Sequence, residues 1–319
     1  MPPPSSSVAV DPPPVGPVLA LDVGGTKLAA GLVDHQGRVL ERAQVATPRL
    51  GSGQGDELFA VVADLVDQVR RTGTDGGIDP LSGCGVGSGG PMTAGGETVS
   101  PLNIPAWREF PLRRRLADHL GLDTFVDNDA KALALAEGWR GAARQVDDYL
   151  AMVVSTGVGG GVVVDGRLLD GAAGNAGHIG HINVEPDGRP CACGSRGCLE
   201  AEASGSAIAE ITGAPAAQAG PEVVERVGTL VGRAVADVAV LLDLSLAVVA
   251  GSVALGYGDA FFRAAQAEID RRARLDYVAG CRILPAGLGA DGPLVGAAAV
   301  GLRGLGRPTR PTVPGTHPQ

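Results

Sequence analysis

Residues 171–200, GAAGNAGHIGHINVEPDGRPCACGSRGCLE, gather two histidines, three of the chain's five cysteines and two glutamates into one Gly-rich segment. His181, Cys191, Cys193 and Cys198 can supply one nitrogen and three thiolates, the ligand set of a closed, structural zinc site. The Cys-x-Cys spacing lets neighbouring side chains reach one ion, and Gly194 and Gly197 let the backbone fold tightly around it. The alternative is free buried thiols or one disulfide. Three cysteines within eight residues beside a histidine favour the metal. Such a zinc would act as a clip that pins a loop.

Two further stretches, DVGGTK at 22–27 and STGVGGG at 155–161, read as glycine turns at strand ends. Turns of this kind let backbone N–H groups approach phosphate oxygens. A structural hairpin explains a single one equally well, and neither fits the P-loop or the dinucleotide fingerprint. Two of them facing one cleft could clamp a nucleotide's phosphate chain from both sides. Asp22, at a strand end, is placed to hold Mg²⁺ through water. Lys27 either adds positive charge there or is an ordinary surface lysine.

Phosphoryl transfer needs positioning, charge neutralisation and an acceptor for the nucleophile's proton. Asp129, between a strand and a helix, suits the last role; otherwise it is a helix N-cap. Asn128 offers a donor and an acceptor, as a sugar hydroxyl requires. His178, His181 and Glu200 would bring more polar groups to the same pocket, held by the clip. Loss of the metal should then damage sugar affinity before nucleotide affinity.

The elements that must position these residues follow from apolar patterning. Residues 18–23, 28–33 and 38–45 predict an antiparallel meander. A helix whose apolar positions run from Leu58 to Val69 follows the 3.6-residue period. Strands are predicted at 84–87 and 123–126, with a helix between them on Leu112, Leu116 and Leu120, ended by Gly121. A helix at 130–139 comes next. The pattern then repeats: strands at 149–154 and 162–164, a third starting in DGRLL, a long helix at 222–242, and strands at 246–250 and 283–285. The segment GSVALG reads as a loop, and 294–302 as a small-residue helix. The repeat implies an internal duplication, with the zinc segment inserted after the second meander.

With 319 residues, 45 % hydrophobic and 19 % charged, the chain is long enough for two globular domains. Fifty glycines and 3 % aromatics predict tight turns and a core of Ala, Val and Leu. A net charge of −9 argues against nucleic acid as a partner. No apolar run is long enough to span a bilayer. The opening MPPPSSSVAVDPPPVG lacks the pattern of a signal peptide, and residues 1–17, like 305–319, are expected to be a disordered tail. Cys84 and Cys281 read as unpaired core thiols. The expected place is the cytoplasm.

Taken together, DVGGTK, DNDA, STGVGGG, AGHIGH and CACGSRGCLE resemble the ROK family of sugar kinases and repressors, over residues from about 18 to 305. The resemblance implies an α/β actin-like ATPase fold, with two ribonuclease-H-like domains around a cleft. The domains would be 18–128, completed by the helix near 294–304, and 129–293 with its zinc loop. It implies ATP, Mg²⁺ and a structural Zn²⁺, with phosphate and metal handled at Asp22, Gly24, Gly25, Thr26 and Lys27. Asp129 would be the catalytic residue, accepting the proton of the sugar 6-hydroxyl. Sugar contacts would come from Asn128, Asp129, His178, His181 and Glu200, with Asn103 near the same pocket. Thr156, Gly157 and Gly251 would lie on the nucleotide side.

Two departures stand out. The family's AGExGH has become AGHIGH, placing His178 where a sugar-binding glutamate is usual, and the usual Gly-Gly of the adenosine loop is Ala250-Gly251. A repressor of the family would need a helix-turn-helix ahead of the first strand, which the Pro-rich start is not expected to form. The expected activity is an ATP-dependent hexose 6-kinase with glucose as default substrate. N-acetylmannosamine competes because AGHIGH resembles bacterial N-acetylmannosamine kinases. A non-catalytic sugar-binding or regulatory protein would not need Asp22, Asp129 and both turns together. A sugar-phosphate hydrolase of the same fold would act without ATP. The family leans towards a homodimer.

Overall fold

In a computed structural model, residues 16–307 and 309 are described, so most of both expected tails lies outside the described residues. Gly16 and Pro17, counted with the first tail, are tied to the body: Ser82 donates to both of their carbonyls.

The first half opens with the meander β1 (Val18–Val23), β2 (Lys27–Val33) and β3 (Val39–Ala46). β1 and β2 are nearly continuous apolar runs because both faces are covered. Edge strand β3 alternates between half-buried and exposed positions, as a strand with one wet face must. α1 (Gly55–Asp75) covers one face, and β4 (Gly83–Ser88) joins β1 in parallel. α2 (Leu112–Leu120) stops at Gly121, and β5 (Thr124–Asn128) pairs with β4. α3 (Asp129–Trp139) leads to the second half.

That half repeats the plan with β6 (Tyr149–Val154), β7 (Val158–Val164) and β8 (Arg167–Leu168). The zinc segment follows, then α4 (Leu199–Ala203), α5 (Gly205–Thr212) and α6 (Pro221–Leu242). β9 (Leu246–Ala250), α7 (Ser252–Arg272), β10 (Arg282–Pro285) and α8 (Gly292–Gly304) complete the chain. The sheets run β3-β2-β1-β4-β5 and β8-β7-β6-β9-β10, the same five-strand order twice. The duplication is therefore real, and it is the arrangement an actin-like ATPase fold requires.

Three local expectations change. GSVALG is not a loop: it opens α7, whose period is masked by Gly256 and by Gly258, where the helical dihedrals break. Most of the second glycine run belongs to strand β7, where the bare backbone lets α3 lie directly against it; a side chain at Gly161 would meet Ala130 O and Ala134 Cβ at 2.9 Å. The segment after the zinc clip holds two short helices that periodicity over so few residues could not reveal.

α8 packs on β1, β4 and β5, although it is last in sequence, and lies along α3, which packs on β6 and β7. This helix pair joins the halves. Glu137, fully buried on α3, accepts N–H bonds from Ala142 (2.7 Å) and Gly287 (3.0 Å), fastening the end of α3 to the second half. No helix among the described residues is long and apolar enough to cross a membrane.

Candidate active site

The sheets bring the ends of β1, β4 and β5 to one edge. Asp22 sits near the end of β1, beside Gly87 of β4, and Asp129 follows β5 as the first residue of α3. A side chain at Gly87 would stand 3.7 Å from Asp129 Cα and 3.9 Å from Asp22 Oδ1, which places Gly87 between the two aspartates. Burial first, and then the charge of Asp129, pushes Asp22 up to about 7, against the pull of Lys27. Asp22 accepts no hydrogen bond from the chain among the described residues, a donor set suited to a divalent cation held through water.

Asp129 is open to the solvent of the cleft. The surrounding protein nevertheless raises its carboxyl above the ordinary range, opposed by the Ala130 N–H and by His178. A raised pKa makes a better proton acceptor near neutrality. The helix cap is taken by Asn128, whose side chain accepts from Ala130 N at 3.0 Å. Asp129 also accepts from that N–H, at 2.8 Å through Oδ1. Its other oxygen takes no part in the cap.

The loop after β4, Gly89-Gly90-Pro91, forms the floor beneath the polar groups assigned to sugar. A side chain at Gly90 would meet Asn128 Nδ2 at 3.4 Å and His178 Nε2 at 3.8 Å; one at Gly89 would meet Asn103 Oδ1 at 3.6 Å. Asn103 also packs on Gly25 of the first turn, linking the two. The His178 Nδ1 is 3.1 Å from the Asn175 carbonyl oxygen. A carbonyl only accepts, so Nδ1 carries the proton, and in the neutral ring Nε2 is an acceptor turned to the floor. The His181 ring lies beside it, at 6.2 Å and 21°.

The four expected zinc ligands do come together. His181 Nδ1 lies 3.6 Å from Cys191 Sγ, Cys193 Sγ lies 3.7 Å from Cys198 Sγ, and all four donors fall within 4.8 Å of one another. A tetrahedron with bonds of about 2.3 Å has edges of about 3.7 Å, so the residues fit zinc. No two of the five cysteines are joined as a disulfide. Cys198 is the N-cap of α4, and two residues on, Glu200 reaches the second glycine turn, accepting the Val158 N–H at 2.8 Å.

The second turn is Ser155-Thr156-Gly157, closed by Ser155 N–H on Gly157 O at 2.9 Å. α5 starts against it, with Gly205 N–H on Ser155 O at 2.7 Å, and Ser252 at the start of α7 bonds Ser155 side chain to side chain. Gly251 has φ of 103°, and a side chain there would run into the Val154 backbone, so no other residue fits without strain. In the first turn, Gly24 N–H bonds Lys27 O at 3.1 Å, Thr47 Oγ1 bonds Gly24 O at 2.7 Å, and Thr26 and Lys27 are exposed.

Sequence reasoning missed the supports: Ser252, Thr47, and the ion pairs of Lys131 with Asp127 and Asp170. Only the DNDAK spacing carried any hint of the last. A separate cavity of about 510 Å³ lies behind the zinc clip, lined in part by Glu202 and Arg226, which pair with each other at 2.7 Å. It does not join the groups described above.

The family described as ROK matches residues 18–303. The chain is 40 % identical to the N-acetylmannosamine kinase of Citrobacter koseri, over 75 % of this chain and 84 % of that protein. It is similar in structure to the ROK hexokinase of Thermus thermophilus, with a TM-score of 0.78 and 33 % identity over 91 % of this chain and 99 % of that one. It is similar also to a ROK family glucokinase of Streptomyces griseus solved with glucose and AMPPNP, with a TM-score of 0.75 and 31 % identity over 90 % of this chain and 100 % of that one.

Proposed function

Because this chain belongs to the ROK family and is an ATP-dependent sugar kinase, we propose that it transfers the γ-phosphate of ATP to the 6-hydroxyl of N-acetylmannosamine. The observation that carries this choice is His178. A glutamate would offer two oxygens to two adjacent hydroxyls. His178, its Nδ1–H committed to Asn175, offers the floor a single acceptor. One acceptor suits a sugar with one hydroxyl fewer in reach, as when an acetamido group replaces the 2-hydroxyl. The name of the Citrobacter koseri relative supports the same reading.

In this reading Asp129 takes the proton of the 6-hydroxyl, and Asn128, Asn103, His178, His181 and Glu200 orient the sugar. Asp22 holds Mg²⁺ through water, and the metal neutralises phosphate charge when bound. Gly24, Gly25, Thr26 and Lys27 receive phosphate from one side, and Thr156, Gly157 and Gly251 receive the nucleotide from the other. The zinc clip keeps the sugar loop in place, and the use of ATP supports a cytoplasmic location. Glucose, the default of the sequence reading, is the second reading, favoured by the glucose-bound Streptomyces griseus relative. A homodimer belongs to the same proposal: Leu241, 79 % exposed, lies one residue from Val240, to whose carbonyl exposed Tyr277 donates, an apolar patch for a second copy that light scattering would detect.

The test is a coupled assay with ATP and Mg²⁺ over glucose, mannose, N-acetylglucosamine and N-acetylmannosamine. N-acetylmannosamine should show the highest kcat/KM. A higher value for glucose overturns the substrate assignment and installs the second reading.

A further inference from the structure

Lys131, on the first turn of α3, is 2 % exposed. A buried ammonium is costly unless each of its donors is met. Its Nζ lies 3.0 Å from Asp127 Oδ1, 3.0 Å from Asp170 Oδ1 and 3.2 Å from the Gly174 carbonyl oxygen, three acceptors for three N–H bonds. The carboxylates come from different places. Asp127 immediately precedes Asn128 and Asp129, and Asp170 opens the segment that ends at His178. Arg303 of α8 supports both, at 3.3 Å from Asp127 and 3.1 Å from Asp170.

We propose that Lys131 is a positioning residue for the sugar, holding segment 170–178 so that His178 presents Nε2 to the floor at Gly90. The inference rests on the reading of His178 as a sugar contact. The connection is short. Asp170 O accepts from Ala176 N at 2.9 Å, closing the segment into a compact loop. Gly174, whose carbonyl Lys131 holds, precedes Asn175, and the Asn175 carbonyl sets the proton on His178 Nδ1. Without the ammonium, the Gly174 carbonyl loses its side-chain donor, and outside the loop's own bonds the Arg303 pair at Asp170 and the 3.4 Å bond from Asn175 Nδ2 to the Met92 carbonyl remain to hold it. The hydrogen bond that orients the imidazole then sits on a looser base. None of these contacts reaches the second glycine turn, so ATP should be insulated from the change.

Lys131→Met keeps the aliphatic stem and removes the charge. Using the whole protein, with zinc content and circular dichroism confirming the fold, KM for the best wild-type sugar should rise about tenfold or more while KM for ATP stays within about twofold. In a His178→Ala background the same substitution should change sugar KM by less than about twofold, because it acts through the missing ring. Asp170→Asn, whose parent side chain is half exposed, should raise sugar KM in the same direction and carries the test if Lys131→Met does not fold. Equal rises in both KM values, an unchanged sugar KM, or an undiminished effect in the His178→Ala background would overturn the proposal. If His178→Ala itself leaves sugar KM unchanged, the reading of His178 fails, separately from the role of Lys131.

Discussion

The Glu200 carboxylate accepts the Val158 backbone N–H at 2.8 Å, so the helix capped by Cys198, one of the four residues that fit zinc, is tied to the second glycine turn. The segment proposed to hold sugar and the turn proposed to receive phosphate therefore share one support. The expectation that metal loss harms sugar affinity before ATP affinity must be widened, because the clip reaches both.

Purified protein should carry one zinc per chain. Its removal by chelation should raise KM for sugar and for ATP together, by about tenfold each, because the metal's binding energy holds the segment that both contacts depend on. Elemental analysis and titration calorimetry with an ATP analogue measure both. No zinc in protein prepared without chelators, or unchanged ATP affinity after its removal, contradicts the shared support.

Asp129→Asn should lower kcat by about 10²–10⁴ with the fold intact, since it removes the proton acceptor and keeps the side-chain shape. The α3 cap survives because Asn128 also accepts the Ala130 N–H. Retention of more than about a tenth of wild-type kcat would remove Asp129 from the reaction.

His178→Glu restores two acceptor oxygens to the floor. One well-made polar contact is worth about 1–3 kcal/mol, so the kcat/KM ratio should move at least several-fold towards glucose. An unaltered ratio in a folded, zinc-bound variant means that His178 does not read the sugar.

Asp22 gives the metal-free protein a pH dependence of known sign. Its carboxyl titrates at about 7 when folded, against an ordinary value of 3.8, so the folded state holds an extra proton between those values. The stability it contributes is complete below 3.8 and is lost as pH rises through 7. Asp22→Asn should therefore flatten the decline of Tm between roughly pH 4 and 7, measured without Mg²⁺. Parallel curves for wild type and variant would show that Asp22 is not the titrating group.

Chemistry whose parts lie close together in the chain was legible from residues alone. His181, Cys191, Cys193 and Cys198 span a short segment, so local turns suffice to bring their donor atoms within 4.8 Å. The strand-turn at DVGGTK and the strand-to-helix step at DNDA announce themselves because a buried apolar run ends abruptly in residues that cannot continue it. The repeated order of strands was legible for the same reason, since each meander is a contiguous pattern. α7 was not, because Gly256 and Gly258 interrupt the very period by which a helix is read.

What only the tertiary structure decided are relations between residues far apart in the chain. Glu200 and Val158, 42 positions apart, meet because α4 folds back onto β7. Lys131 finds Asp170 because α3 lies along the second sheet, and Arg303 reaches Asp127 and Asp170 from a helix that returns to the first. Even the acceptor that His178 offers depends on the Asn175 carbonyl, whose direction is set by a loop held from outside. Residue types name the donors and acceptors available. Which of them are already spent on the protein, and which remain for a ligand, is settled by packing, because each hydrogen-bonding group has few places to fill and the fold fills most of them first.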